Sequence, residues 1–295
     1  MLYLENWPIQ KIESSDGAYP TLLKKISDCP KTLYFRGNFL TGQEKCLAIV
    51  GARLASSYGK EIALSLAINS SRAGLTIVSG LARGIDSWAH QGALEANSPT
   101  IAVLGTGLDE QSFYPQENLK LAKTILEKGG CLISEYPAGT QGAHFTFPQR
   151  NRIISGLSLG VVVVEAKIKS GALLTAKWAK QQKRKIMAVP GPVTSASSQG
   201  CHWLIKQEAL LVENYNDILA GLSLSANTLP NILDYQGQNN EEQQIINALK
   251  NKAMSIDGII EITGLTSSAV STALCSMETE GQVKNLGGNT YALSR

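Results

Sequence analysis

The chain has 295 residues, of which 43% are hydrophobic and 17% charged, with a net charge of +3. This is longer than one ordinary domain, so a large domain with a small appendage is expected, and the apolar share supplies a core and argues against disorder. Met1 runs into Leu2-Tyr3-Leu4-Glu5 without a basic start and apolar run, and no apolar stretch approaches the ~20 residues of a membrane span, so a soluble cytoplasmic protein with no membrane role is expected.

Residues 1–40 mix turn signals (Asp16-Gly17, Tyr19-Pro20, Cys29-Pro30) with a short helical stretch near Leu22 to Ile26 and the run Leu33-Tyr34-Phe35. They read as an N-terminal extension packed on the core. From 41 to 220 seven short apolar runs read as strands: Leu47 to Val50, Leu75 to Val78, Thr100 to Leu104, Cys131 to Ser134, Val161 to Glu165, Ile186 to Val189 and Leu210 to Val212. Helical spacing fills Tyr58 to Ala73, Ile85 to Ala96, Glu117 to Lys128 and Leu173 to Gln182. Near-continuous apolar strands between helices predict an α/β fold, a doubly wound, mostly parallel Rossmann-like sheet whose ligands sit beyond the carboxyl ends of the strands. Residues 221–240 are Ser-, Asn-, Gln- and Gly-rich and read as a linker. From 241 to 295, helices at Glu241 to Lys250, Ser255 to Ile262 and Ser267 to Thr279 precede a hairpin turning at Gly287-Gly288-Asn289, the pattern of a small winged helix.

The charge is unevenly spread. Residues 141–206 hold ten Lys or Arg against the single acid Glu165, which implies a polyanionic partner, whereas residues 240–295 hold four basic residues against six acids. The five cysteines (Cys29, Cys46, Cys131, Cys201, Cys275) are never spaced C-x-x-C, so neither a disulfide framework nor a zinc site is expected, and they read as buried thiols.

Two loops resemble anion cradles. Gly51-Ala52-Arg53 with Ser56, Ser57 and Gly59 brings bare backbone and a guanidinium to a helix N-terminus, and Ser79-Gly80-Leu81-Ala82-Arg83-Gly84 repeats the arrangement. Each reads equally as a tight structural turn. Neither is G-x-G-x-x-G or a P-loop, so ordinary nucleotide binding is not supported and no cofactor is expected. Phe147-Pro148-Gln149-Arg150-Asn151-Arg152 offers a base-stacking ring beside two arginines, or else a core Phe with capping arginines. Lys167, Lys169, Ser170, Gly171 and Thr175 fall at the same sheet edge, and Lys177, Lys180 and Arg184 recur at i, i+3, i+7 as a basic helical face, ligand-binding or merely solvated.

Taken in order, Gly51-Ala-Arg53, Ser79 to Asp86 with Ala89-His90, Tyr114-Pro115, Ser134-Glu135, Phe147 to Arg152, Glu165-Ala166, Ser170-Gly171 with Thr175-Ala176, and Val189-Pro190-Gly191 resemble the DprA/Smf family of DNA-processing proteins from about Tyr19 to Val212. The resemblance implies a non-enzymatic, usually dimeric Rossmann-like protein that binds and protects single-stranded DNA and loads RecA recombinase in natural transformation and recombination. It places the DNA pocket on Gly51, Arg53, Ser79, Gly80, Ala82, Arg83, Gly84, Phe147, Arg150, Asn151 and Arg152, with Ser170, Gly171, Thr175 and Lys177 nearby. The expected mechanism has Arg53, the Ser79 to Gly84 amides, Arg150 and Arg152 holding phosphates while Phe147 stacks a base.

Two alternatives stand beside it. Asp86 and His90 at i, i+4 suit a nucleotide phosphoribohydrolase on a related fold, but the P-G-G-x-G-T-x-x-E signature is absent, and three histidines (His90, His144, His202) without clustered carboxylates leave no metal site. A winged helix reading duplex DNA would use Ser267 to Thr279 as its recognition helix, yet that segment has no Lys or Arg and includes Glu278. A protein-contact or dimer-supporting role is the expectation for the tail.

Overall fold

The computed structural model describes residues 4–39, 45–224, 239–249, 253–279, 282–285 and 287–293. The chain divides into two compact units, Met1–Pro230 and Asn231–Arg295. Most of the expected linker, 225–238, lies outside the described residues.

In the first unit the N-terminal residues do more than pack on a finished sheet. They add two strands to it, β1 (Gln10–Glu13) and β2 (Thr32–Gly37), with the short helix α1 (Thr21–Lys24) between. Leu33 and Phe35 point inward from β2 at the period of two that a strand imposes. The seven expected strands come next as β3 (Cys46–Val50), β4 (Thr76–Ser79), β5 (Thr100–Leu104), β6 (Cys131–Ser134), β7 (Gly160–Val163), β8 (Lys185–Ala188) and β9 (Leu210–Leu211). Between them run α2 (Ser57–Arg72), α3 (Ile85–Glu95), α4 (Leu119–Glu127), α5 (Thr146–Leu157), α6 (Gly171–Gln181), α7 (Gln199–Lys206) and α8 (Tyr215–Gly221). Helices α5, α7 and α8 are not among those the spacing predicts.

The nine strands lie in the order β1-β2-β6-β5-β4-β3-β7-β8-β9. All neighbours from β6 to β9 are parallel, and β2 joins β6 antiparallel. Both sheet faces are covered, which is why the strands read as unbroken apolar runs. From β3, Cys46, Ala48 and Val50 enter a core with Ile153 and Ile154 of α5, Ala172 and Ala176 of α6, and Cys201 of α7. Leu47 and Ile49 enter the opposite core with Leu66 of α2, Ile85 and Ala89 of α3, and Ile218 of α8. Each such Leu or Ile contributes about 1.5–3 kcal/mol by leaving water. The chain steps outward from β3 through β4 and β5 to β6, then returns to lay β7 on the other side of β3. The carboxyl ends of β3 and β7 therefore flank a topological switch point, where this architecture leaves a crevice.

The second unit has α9 (Asn240–Leu249), α10 (Ile256–Thr263) and α11 (Ser267–Thr279), and a three-stranded sheet ordered β10 (Met254–Ser255), β12 (Thr290–Leu293), β11 (Val283–Asn285). Ile245, Ile246, Ile259, Val270, Leu274 and Met277 make its core. Ser255 caps α10 by accepting from the Gly258 amide at 3.2 Å, and Gly264 ends it in the left-handed region at φ 68°. Of the cysteines, Cys46, Cys131 and Cys201 are buried, but Cys275 is exposed on α11, contrary to expectation, because its position on the helix faces away from the core. Among the described residues no single helix is long and apolar enough to cross a membrane.

Candidate nucleic-acid interface

Three helices begin at the carboxyl edge of the central strands, and their first turns decide what the edge can bind. At α2, Ser56 is the N-cap and its Oγ accepts from the Gly59 amide at 3.0 Å. Glu165, just past β7 and 3% exposed, accepts from the Ser56 amide at 3.0 Å, from Ser56 Oγ at 2.6 Å and from Ser197 Oγ at 3.0 Å. A Cβ on residue 59 would collide with this carboxylate. The place at the start of α2 where the sequence suggests a phosphate holds the protein's own anion, which suits the positive end of the helix.

The loop between β4 and α3 is filled in the same way. The Asp86 carboxylate accepts from the Gly80 amide at 3.0 Å and the Ala82 amide at 3.4 Å. Ser79, fully buried, donates its hydroxyl to Ile49 O at 2.6 Å and so ties β4 to β3. Gly84 turns the chain at φ +74°, against the Ala52 and Arg53 carbonyls. The expected anion cradle from Ser79 to Gly84 is thus a structural turn closed by Asp86. Burial pushes the Asp86 carboxyl up, while the Arg150 charge and the two amides act to keep it ionised.

Helix α5 explains the arginines. Residues two apart on a helix point about 200° apart, so Arg150 and Arg152 diverge. Arg150 is 5% exposed and donates to Gly80 O at 2.6 Å and to Val103 O; burial pushes its guanidinium down to about 10. Arg152 is 3% exposed and ion-paired with Asp28 at 2.9 Å and Glu135 at 2.6 Å, away from the crevice. The two arginines differ: Arg152 is taken up by Asp28 and Glu135, whereas Arg150, bonded to two carbonyls, still lines the cleft with its Nε unpartnered. His90 is likewise enclosed, its Nδ1 2.8 Å from Thr100 Oγ1, and burial drives it down to about 3, so it is a neutral core residue.

What remains open is a cleft of about 360 Å³ at the switch point. Gly51, Ala52, Arg53, Ala82, Asp86, Phe147, Arg150, Asn151, Ser170, Gly171 and Thr175 line it. A neighbouring cavity of about 310 Å³ shares Arg53, Ala82, Phe147 and Arg150, and adds Gly80, Arg83, Leu54 and Tyr114. The Arg53 guanidinium lies 5.9 Å from the centre of the Phe147 ring, and Tyr114 meets that ring from another side at 5.4 Å. Arg53 is exposed and makes no ion pair among the described residues, whereas exposed Arg83 pairs with Glu117. Across the cleft, Ser170 is the N-cap of α6 yet caps nothing, and its Oγ is buried without a hydrogen-bond partner. Among the first amides of α6, Leu173 donates to Ser170 O at 3.2 Å, while those of Gly171 and Ala172 precede any acceptor one turn back, and a Cβ on residue 171 would meet open space. Among the described residues no carboxylate closes this helix start. Asn151 steadies it, donating from Nδ2 to Gly171 O at 3.3 Å, and Thr175 is buried behind it.

The structure therefore gathers Gly51, Arg53, Gly80, Ala82, Arg83, Phe147, Arg150, Asn151, Ser170, Gly171 and Thr175 around one crevice. Ser79, Gly84 and Arg152 support it from within, and Lys177 stands on the far flank of α6, outside the cleft. Sequence reasoning missed Leu54, 89% exposed beside Arg53, and Tyr114, 46% exposed. The Tyr114-Pro115 pair was a signal for the second of these. Among the described residues no three metal-ligating side chains come together.

Residues 10–223 match the family described as DNA recombination-mediator protein A, and residues 234–289 match the DprA winged helix domain. Protein Smf of Escherichia coli is 36% identical over all of this chain and 80% of its own length. The DNA processing protein DprA of Streptococcus pneumoniae is 42% identical over 70% of this chain and 71% of its own. Its X-ray structure superposes with a TM-score of 0.67 at 40% identity, covering 74% of this chain and 75% of that one. DprA from Helicobacter pylori, whose structure is described for its single-stranded DNA binding mode, superposes at 0.66 with 26% identity, covering 76% of this chain and 98% of that one. With both units matched in order, and with relatives at this identity over most of their length, the chain belongs to the DprA/Smf family of DNA recombination mediators.

Proposed function

We propose that this protein binds single-stranded DNA in the cleft between β3 and β7, protects it, and delivers it to a RecA-type recombinase, without catalysing a reaction. The observation that carries this reading is the pairing of an unneutralised, exposed Arg53 with the Phe147 ring, facing an uncapped helix start across one crevice. One phosphate sits between Arg53 and the first amides of α6, with Ser170 Oγ as a further donor. A base enters the neighbouring cavity against Phe147 and Tyr114, an interaction of about 1–3 kcal/mol that tolerates any sequence. Duplex DNA is rejected because paired bases cannot turn a face to these rings. The relative whose structure is described for single-stranded DNA binding supports the same ligand here.

The non-enzymatic reading is supported by the enclosure of His90, which leaves Asp86 without an accessible partner for acid-base work. The homodimer reading is supported by the apolar surface at the outer edge of the sheet, where Trp203 of α7 is 48% exposed and Leu210 and Leu211 of the edge strand β9 are about as open. Delivery to RecA rests on family membership, and the tail is assigned a protein-contact or dimer-supporting role because α11 carries no basic residue. The protein is read as cytoplasmic, where such a recombinase works. A gel-shift comparison of single-stranded and duplex oligonucleotides over a salt series tests the central reading. Preference for the single strand, weakened in Arg53→Ala, is expected; equal binding of both forms would overturn it.

A further inference from the structure

Beyond the ridge formed by Pro148 and Leu174, which line both it and the cleft, lies another cavity of about 610 Å³. Its other walls include Phe145, Trp178 and Lys177. Phe145 is the N-cap residue of α5, two positions before Phe147, and 68% of it is exposed. A single exposed aromatic needs no explanation. Here, however, it shares a concave surface with a second aromatic, with Leu174 at 40% exposure, and with an exposed lysine. The one acid of the wall, Asp28, is engaged by Arg152 at 2.9 Å, so the cation at Lys177 is the charge a ligand meets. An aromatic surface with a cation, continuous with a cleft read as a strand-binding site, is the combination that holds a further nucleotide of the same strand.

We propose that this cavity is a second base-stacking subsite, in which Phe145 stacks the nucleotide next to the one held at Phe147 and Lys177 meets its phosphate. The strand then crosses the ridge of Pro148 and Leu174, leaving the cleft along the α5–α6 side. The inference rests on the reading of the cleft as a single-strand site, and its test separates the two.

The experiment is fluorescence anisotropy with the full chain on oligo-dT of increasing length, comparing the parent with Phe145→Ala, Phe145→Trp and Arg53→Ala. Phe145→Ala is expected to bind the shortest oligomers like the parent and to lose about tenfold on longer ones, as one stacked base supplies. Phe145→Trp restores the loss, and Arg53→Ala weakens binding at every length. A Phe145→Ala protein that matches the parent at all lengths, or weakens equally at all lengths, overturns the subsite while the cleft stands. Arg53→Ala with parental affinity at every length overturns the cleft reading and, with it, the path that the subsite extends. Absence of binding by the parent overturns both.

Discussion

The starts of α2 and α3 and the start of α6 lie on the same rim, and they differ in one respect. The amides at α2 and in the loop before α3 are answered by Glu165 and Asp86, whereas those at α6 face an open cleft with an unpartnered serine hydroxyl. A glycine- and serine-rich turn before a helix is therefore not by itself a ligand site. What decides is a side chain from elsewhere: Glu165 stands 109 positions from the Ser56 it satisfies. The closed turns act as the rigid frame, and the open one, with Arg53 and Phe147 opposite, is where an outside anion fits.

Substitutions that unmake the frame should register as stability, and those at the open side as binding. The largest effect is expected from Arg150→Ala, which leaves Asp86 buried beside no cation and removes the donors to Gly80 O and Val103 O. A loss of about 3–5 kcal/mol in denaturant unfolding is expected, and parental stability would show that the frame does not depend on this charge. Glu165→Ala ranks next, at about 2 kcal/mol, through the lost hydrogen bonds at the start of α2. It also converts a closed helix start into an open one, so added phosphate should raise the melting temperature of this variant more than that of the parent. Equal shifts would mean that an emptied helix start does not suffice.

On the open side, Phe147→Ala should weaken single-strand binding by about 1–3 kcal/mol with its salt dependence kept, because a base contact and not a phosphate contact is removed. A changed slope would reassign the ring. Arg53→Ala should cost about 1 kcal/mol and reduce the slope of log K against log salt by about 0.7, the share of one single-strand phosphate. A slope identical to the parent's would place the phosphate elsewhere.

The fold was legible wherever residues are buried on both sides. The runs from Leu47 to Leu211 announced seven strands because a parallel sheet between two helix layers has no polar face to interrupt them. Helix α5 was hidden by its own content: Pro148, two arginines, Gln149 and Asn151 break the apolar period, and the periodicity returns only when Arg150 and Arg152 are seen to be buried by pairing. The same burial turns Arg152 away from the cleft, to Asp28 and Glu135, while Arg150 keeps a place in its lining. Charge in a sequence gives no sign of whether a distant carbonyl or carboxylate will consume it. Strands β1 and β2 escaped because they stand outside the alternation of strand and helix, among turns, so only their pairing across 32–35 identifies them. Arg53, Ser170 and Gly171 share one rim because they follow strand ends at the starts of helices, a relation that chain order carries, and Phe147 joins them from the first turn of α5.

The contact between residue 80 and Arg150 also has a meaning for how such a chain can vary. A Cβ on residue 80 would stand 2.6 Å from the Arg150 Cζ, so even alanine there must evict the guanidinium, and a shorter residue at 150 must vacate the pocket before residue 80 can grow. The two positions are sterically locked, and a library randomised at both should return glycine with arginine, since any larger residue at 80 displaces the cation that Asp86 needs.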